Sequence, residues 1–102
     1  MLKHVVLLTW KDGTTDKQIA EVDNSLGHLI ETIDAIHSYE YGADMDLVKG
    51  NSDYSIVAEF LTEEDFFLYA KHPEHMQFVT KVAQPIVASS NAVQFYTDDE
   101  NA

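Results

Sequence analysis

The segment Tyr69-Ala70-Lys71-His72-Pro73-Glu74-His75 gathers three side chains able to move protons around one helix-start signal. Proline is favoured at the first position of a helix, where its missing N–H would have had no intrahelical partner. Pro73 therefore places His72 at the N-cap and His75 in the first turn, with Tyr69 in the last turn of the preceding helix. A histidine in that turn feels the partial positive charge of the helix N-terminus, which disfavours the imidazolium and keeps the ring neutral, as a base must be. Removing a proton beside a carbonyl creates an enolate whose oxygen needs a hydrogen-bond donor, and the Tyr69 O–H is one. The step as written requires no metal and no cofactor. It does require the Tyr69 hydroxyl and the His75 ring to converge on one cavity.

Each of these residues also has a structural role open to it. His72 fits a capping residue, His75 a histidine that hydrogen-bonds within the helix start, and Tyr69 an amphipathic residue at the edge of the core. His4 lies inside an apolar strand, where a histidine with satisfied hydrogen bonds is the simpler reading; His28 and His37 have no companions. A metal held by His72 and His75 would need a third ligand that the sequence does not fix, so no metal is expected. Asp44-Met45-Asp46 with Asp53 matches a calcium loop poorly, because Lys49 stands where such a loop needs glycine and the closing glutamate is missing.

The elements that must position these groups follow from pattern. A chain of 102 residues with 45% hydrophobic composition fits one domain with its own core. Residues 2–10 read as a strand apolar on both faces, with Leu2, Val6, Leu8 and Trp10 on one and Val5 and Leu7 on the other. Lys11-Asp12-Gly13 turns the chain, and Thr15 with Gln18 forms a capping box for a helix whose buried stripe is Ile19, Val22, Leu26, Leu29, Ile30 and Ile33. Gly27 weakens that helix without ending it. A second strand over 36–41 ends at Gly42, a polar loop runs over 43–53, and a third strand covers 54–60. Thr62 caps a short helix carrying Phe66, Phe67 and Tyr69. The helix begun by Pro73 carries Met76, Phe78, Val79 and Val82 and stops at Pro85, and a fourth strand covers 91–96.

The order β-α-β-β-α-α-β predicts an α+β, ferredoxin-like, four-stranded antiparallel sheet with helices on one face. Apolar residues at both parities of the strands then leave the other face oily over several hundred Å², the scale of a partner site. Pairing two such faces in a two-fold homodimer would cover it.

Composition narrows the partners. Eighteen Asp and Glu against six Lys, and no Arg, give a formal charge of −12. The lysines are scattered singly, which argues against nucleic acid and anionic membranes, and the missing guanidinium removes the usual fork for carboxylates and phosphates. A small, mostly apolar or phenolic ligand suits this inventory better. Without cysteine there are no disulfides or thiolate sites. The opening apolar run is too short to span a bilayer, so a cytoplasmic protein is expected.

Four segments carry a resemblance: Leu2-Lys3-His4-Val5-Val6-Leu7-Leu8, Lys11-Asp12-Gly13-Thr14, Asp53-Tyr54-Ser55-Ile56-Val57-Ala58-Glu59-Phe60, and the segment 69–75. Together they resemble the stress-responsive A/B barrel domain (Dabb) family over nearly the whole chain, which implies one such domain over 1–97, an acidic tail over 98–102, and a dimeric α/β barrel. One branch contains a plant polyketide cyclase that closes a ring by a cofactor-free, aldol-type reaction with a tyrosine and a histidine. The resemblance puts those roles on Tyr69 and His75 and a pocket-lining histidine on His4, while Tyr54 replaces another pocket histidine. Other relatives are cofactor-free monooxygenases. The expected site is thus a catalytic pair, His75 and Tyr69, with His4, Tyr54 and His72 binding substrate. The expected protein is a homodimer with a small-molecule pocket, or alternatively a cofactor-free lyase, cyclase or monooxygenase acting on a carbonyl or phenolic compound.

Overall fold

In the computed structural model, which describes residues 1–97, the order is β1 (Leu2–Trp10), α1 (Asp16–Thr32), β2 (Ser38–Ala43), β3 (Tyr54–Phe60), α2 (Glu63–Lys71), α3 (Pro73–Phe78) and β4 (Val87–Tyr96). The expected acidic tail lies outside the described residues. The strands form one antiparallel sheet in the order β2-β3-β1-β4, the ferredoxin-like arrangement. None of the described helices is long and apolar enough to cross a membrane.

Local chemistry sets most boundaries. Gly13 takes φ +86°, a conformation open to glycine, and closes the turn after β1. The Thr15 hydroxyl then accepts from the Gln18 N–H at 3.2 Å while the Gln18 side chain accepts from the Thr15 N–H at 2.9 Å, completing the capping box of α1. Val22, Leu26, Leu29 and Ile33 bury one stripe of this helix against the sheet. Ile30 does not join them and is 43% exposed, because it lies one residue round the helix from Leu29, on the flank of the stripe. Gly27 sits where α1 runs close to β2; a Cβ there would lie 3.4 Å from the Tyr41 hydroxyl.

Three boundaries depart from expectation. β2 begins at Ser38, because the Ile36 N–H bonds back to the Ile33 carbonyl at 3.2 Å and only His37 starts the pairing, through Glu59. Gly42 lies within β2, paired with Ser55. β4 begins at Val87 and not at 91, since the ladder with β1 extends to the Trp10–Val87 pair. Between α3 and β4 the chain makes a π-helical turn, Val79–Ala83, with the Gln84 N–H reaching the Val79 carbonyl at 2.8 Å.

Even-numbered residues of β1 and β3 face the helices. Leu2, Leu8, Tyr54, Ile56, Ala58 and Phe60 are buried there with the α1 stripe, Tyr69, Phe78 and Ile86. Burying each large side chain contributes about 1.5–3 kcal/mol. The opposite face carries Val5 and Leu7 on β1, Val57 on β3, and Val93 and Phe95 on β4, as the register requires. Leu7, Val93 and Phe95 remain 41%, 53% and 45% exposed.

Candidate active-site cleft

The junction of α2 and α3 is built around His72, which ends one helix and begins the next. Its N–H donates to the Tyr69 carbonyl at 3.1 Å, its Nδ1 accepts from the Glu74 N–H at 3.1 Å, and its carbonyl accepts from the Met76 N–H at 3.0 Å. Pro73, fixed at the first helical position, locks the bend. The bend folds His75 back over the end of α2. Its Nδ1 lies 3.1 Å from the Ala70 carbonyl, and its ring centroid is 4.3 Å from that of Tyr69.

A carbonyl oxygen can only accept, so Nδ1 of a neutral His75 carries the proton and Nε2 is the basic nitrogen. Burial lowers the His75 pKa below 6.5, the Ala70 bond opposes this by favouring the cation, and the nearby His72 lowers it further. The ring is therefore a neutral base near pH 7, and the dominant cause is desolvation, where the helix N-terminus was expected.

His4 enters from β1 on the helix-facing side, edge-on to Phe66 with centroids 5.0 Å apart and 6.2 Å from Tyr69. The Gln94 amide nitrogen approaches His4 Nδ1 at 2.8 Å across the β1–β4 pair. An amide N–H donates, so Nδ1 accepts and the proton of neutral His4 sits on Nε2. Burial, then the charge of a protonated His75, lowers the His4 pKa. The two histidines thus offer opposite edges, a basic Nε2 on His75 and a donor Nε2–H on His4.

Tyr69 is almost completely buried, and its hydroxyl lies 2.6 Å from that of Tyr39 on β2. Burial pushes the Tyr69 phenol up to about 12, while the bond from Tyr39 works the other way. It is a proton-holding donor at neutral pH.

These three residues line one cleft of ≈ 500 Å³ between sheet and helices, floored by Val6, Leu8 and Ile56 and walled by the π-helical turn through Val79, Thr80, Ala83 and Gln84. The wider turn brings two adjacent pairs, Val79-Thr80 and Ala83-Gln84, onto the cleft. The lining is apolar apart from a few convergent polar groups, the usual make-up of a small-molecule site.

Tyr54 and His72 do not line this cleft. The Tyr54 hydroxyl donates to the Asp23 carboxylate on α1, and burial with that bond raises its pKa far above the phenol range. Tyr54 faces a separate hollow with Asp44, Asn51 and Ser52. His72 borders an outer groove with Phe67, Leu68 and Lys71. Among the described residues no cluster of three or more His, Asp or Glu is arranged to hold a metal. Sequence reasoning missed Tyr39 and Gln94, whose contacts depend on strand register. The alternation that puts Tyr39 and Tyr41 on one face of β2 was the available signal for the first.

Fold and cleft together define a ferredoxin-like α+β domain with a histidine- and tyrosine-lined pocket between sheet and helices. The profile of the Stress responsive A/B Barrel Domain (Dabb) family matches residues 2–97, and the chain belongs to that family. The stress-response A/B barrel domain-containing protein HS1 of Arabidopsis thaliana is 28% identical over 81 residues, covering 78% of this chain and 74% of the relative. A dimeric ferredoxin-like protein of unknown function from Thermobifida fusca superposes with a TM-score of 0.87 at 33% identity, covering 94% of this chain and 90% of that one. A hydroxynitrile lyase from Passiflora edulis shares the fold with a TM-score of 0.84 at 16% identity, covering 96% and 94%.

Proposed function

We propose that this protein is a cytoplasmic homodimer whose cleft takes a small, mostly apolar molecule bearing a carbonyl or phenolic oxygen, and that His75 and Tyr69 carry cofactor-free proton transfer on it. The observation that carries this reading is the Nδ1–H···O=C bond from His75 to Ala70, which leaves Nε2 as the basic nitrogen of a ring that lines the same cleft as Tyr69. In the proposed step Nε2 takes a proton from the carbon next to a carbonyl. The C–H electron pair forms the enolate, whose oxygen accepts from Tyr69 O–H with His4 Nε2–H as a second donor, and the imidazolium then returns the proton to the product. A lyase on the same fold, the Passiflora edulis protein, is a precedent for the architecture only.

The dimer is supported by the exposed Leu7, Val93 and Phe95 on the free sheet face and by the description of the Thermobifida fusca relative as dimeric. A second reading, a non-catalytic binding protein, is favoured by the structural use of the same contacts, since His72 caps α3 and His75 ties α3 to α2. Turnover assays on a panel of phenols and β-keto acids with His75→Ala and Tyr69→Phe separate the two. Loss of turnover with the dimer intact supports catalysis; ligand binding with no turnover by the wild type supports the binder and sinks the enzyme.

A further inference from the structure

The Tyr39–Tyr69 hydroxyl contact can be donated either way, and only one direction leaves Tyr69 a proton for the cleft. Each phenol has one O–H to donate. Tyr69 lines the cleft and Tyr39 does not, and the Tyr39 hydroxyl bonds no described residue except Tyr69. If Tyr69 donated to Tyr39, its one O–H would be spent toward β2 and Tyr69 could meet a ligand only as an acceptor. If Tyr39 donates to Tyr69, the Tyr69 O–H is kept for an acceptor in the cleft that Tyr69 lines.

We propose that Tyr39 is a positioning residue: its hydroxyl, closed off from the cleft, donates to the Tyr69 oxygen and so commits the Tyr69 O–H to an anionic or carbonyl oxygen of the ligand. This rests on the reading that such an oxygen occupies the cleft. The chain Tyr39→Tyr69→ligand has the geometry for cooperative strengthening, since a hydroxyl that accepts one bond donates a stronger one. The rings hold it in place, with Tyr39 5.9 Å from Tyr69 and 6.0 Å from Tyr41, both edge-on. Desolvation also raises the Tyr39 pKa well above the phenol range, so it keeps its proton at neutral pH. The ligand class that gains most is one whose oxygen carries or develops negative charge, a phenolate or enolate.

The test is a binding cycle with para-nitrophenol at a pH where the probe is ionised, read by its absorption band. Tyr39→Phe is expected to weaken binding about two- to threefold in the wild-type background and to have no effect in the Tyr69→Phe background. Tyr39→fluorotyrosine, which keeps the ring and strengthens the donor, is expected to tighten binding and serves if the phenylalanine variant fails to fold. Equal effects of Tyr39→Phe in both backgrounds, or no effect of either variant while the probe still binds in the cleft, would overturn the positioning role and leave the proposed function standing. A wild-type protein that does not bind the probe at all would overturn both.

Discussion

Replacing Tyr69 by phenylalanine removes one oxygen and should cost more than its mirror change at Tyr39. In Tyr69→Phe the partly buried Tyr39 O–H loses its one hydrogen-bond partner among the described residues, so the cost is that of an orphaned donor, about 1–3 kcal/mol. In Tyr39→Phe the Tyr69 side chain still borders the cleft, and only a net hydrogen bond is lost, about 0.5–1.5 kcal/mol. The double variant removes both groups and leaves no orphan, so it should be more stable than Tyr69→Phe alone. For a domain of this size each kcal/mol moves the melting temperature by about 4–8 °C, so the differences are readable by thermal or urea unfolding at neutral pH. A double variant less stable than Tyr69→Phe, or a Tyr39→Phe loss equal to or larger than the Tyr69→Phe loss, would refute the direction of donation.

Other expectations follow from the same contacts. His4 and His75 both have lowered pKa values in the fold, so between those values and 6.5 the unfolded chain binds more protons; stability should fall as pH drops below about 6.5, and a His4→Gln/His75→Asn variant should flatten that slope. Gly27→Ala should stabilise α1 by about 0.5–1 kcal/mol, because the new Cβ meets only the end of the Tyr41 side chain at 3.4 Å; a loss of stability in urea unfolding would mean that the helix cannot give there. Phe95→Glu should convert the dimer to a folded monomer in sedimentation velocity, and an unchanged dimer would show that the free sheet face is not the interface.

How far the sequence could be read depended on whether a signal was local. β1 and β3 were legible because dense apolar residues end at Lys11-Asp12-Gly13 and at Leu61-Thr62, and α1 because Thr15 and Gln18 form its cap from adjacent residues. The His72-Pro73 junction was legible for the same reason. β2 was misplaced by two residues because Ile36 continues the alternation but turns back to Ile33 instead. The start of β4, Val87-Ala88-Ser89-Ser90, carries mostly small residues just after Pro85 and lacks the apolar alternation of a strand; its pairing with β1 is a long-range fact. The site divides along the same line. Tyr69 and His75 are neighbours in sequence, whereas Tyr39 and Gln94 reach Tyr69 and His4 across separations of 30 and 90 residues. No pattern within a strand encodes those partners. Tyr54, placed in the pocket by the resemblance, turns its hydroxyl instead to the Asp23 carboxylate on α1.

The most direct test of the cleft as a seat of base chemistry is a long-range ¹H–¹⁵N NMR experiment on the imidazole of His75. The proposed role of His75 requires a neutral ring with the proton on Nδ1 at pH 7, titrating below the ordinary histidine value, and an Nε2 resonance that shifts when a phenol or β-keto acid is added. A ring that is cationic at pH 7, or one protonated on Nε2 and indifferent to such ligands, would contradict it.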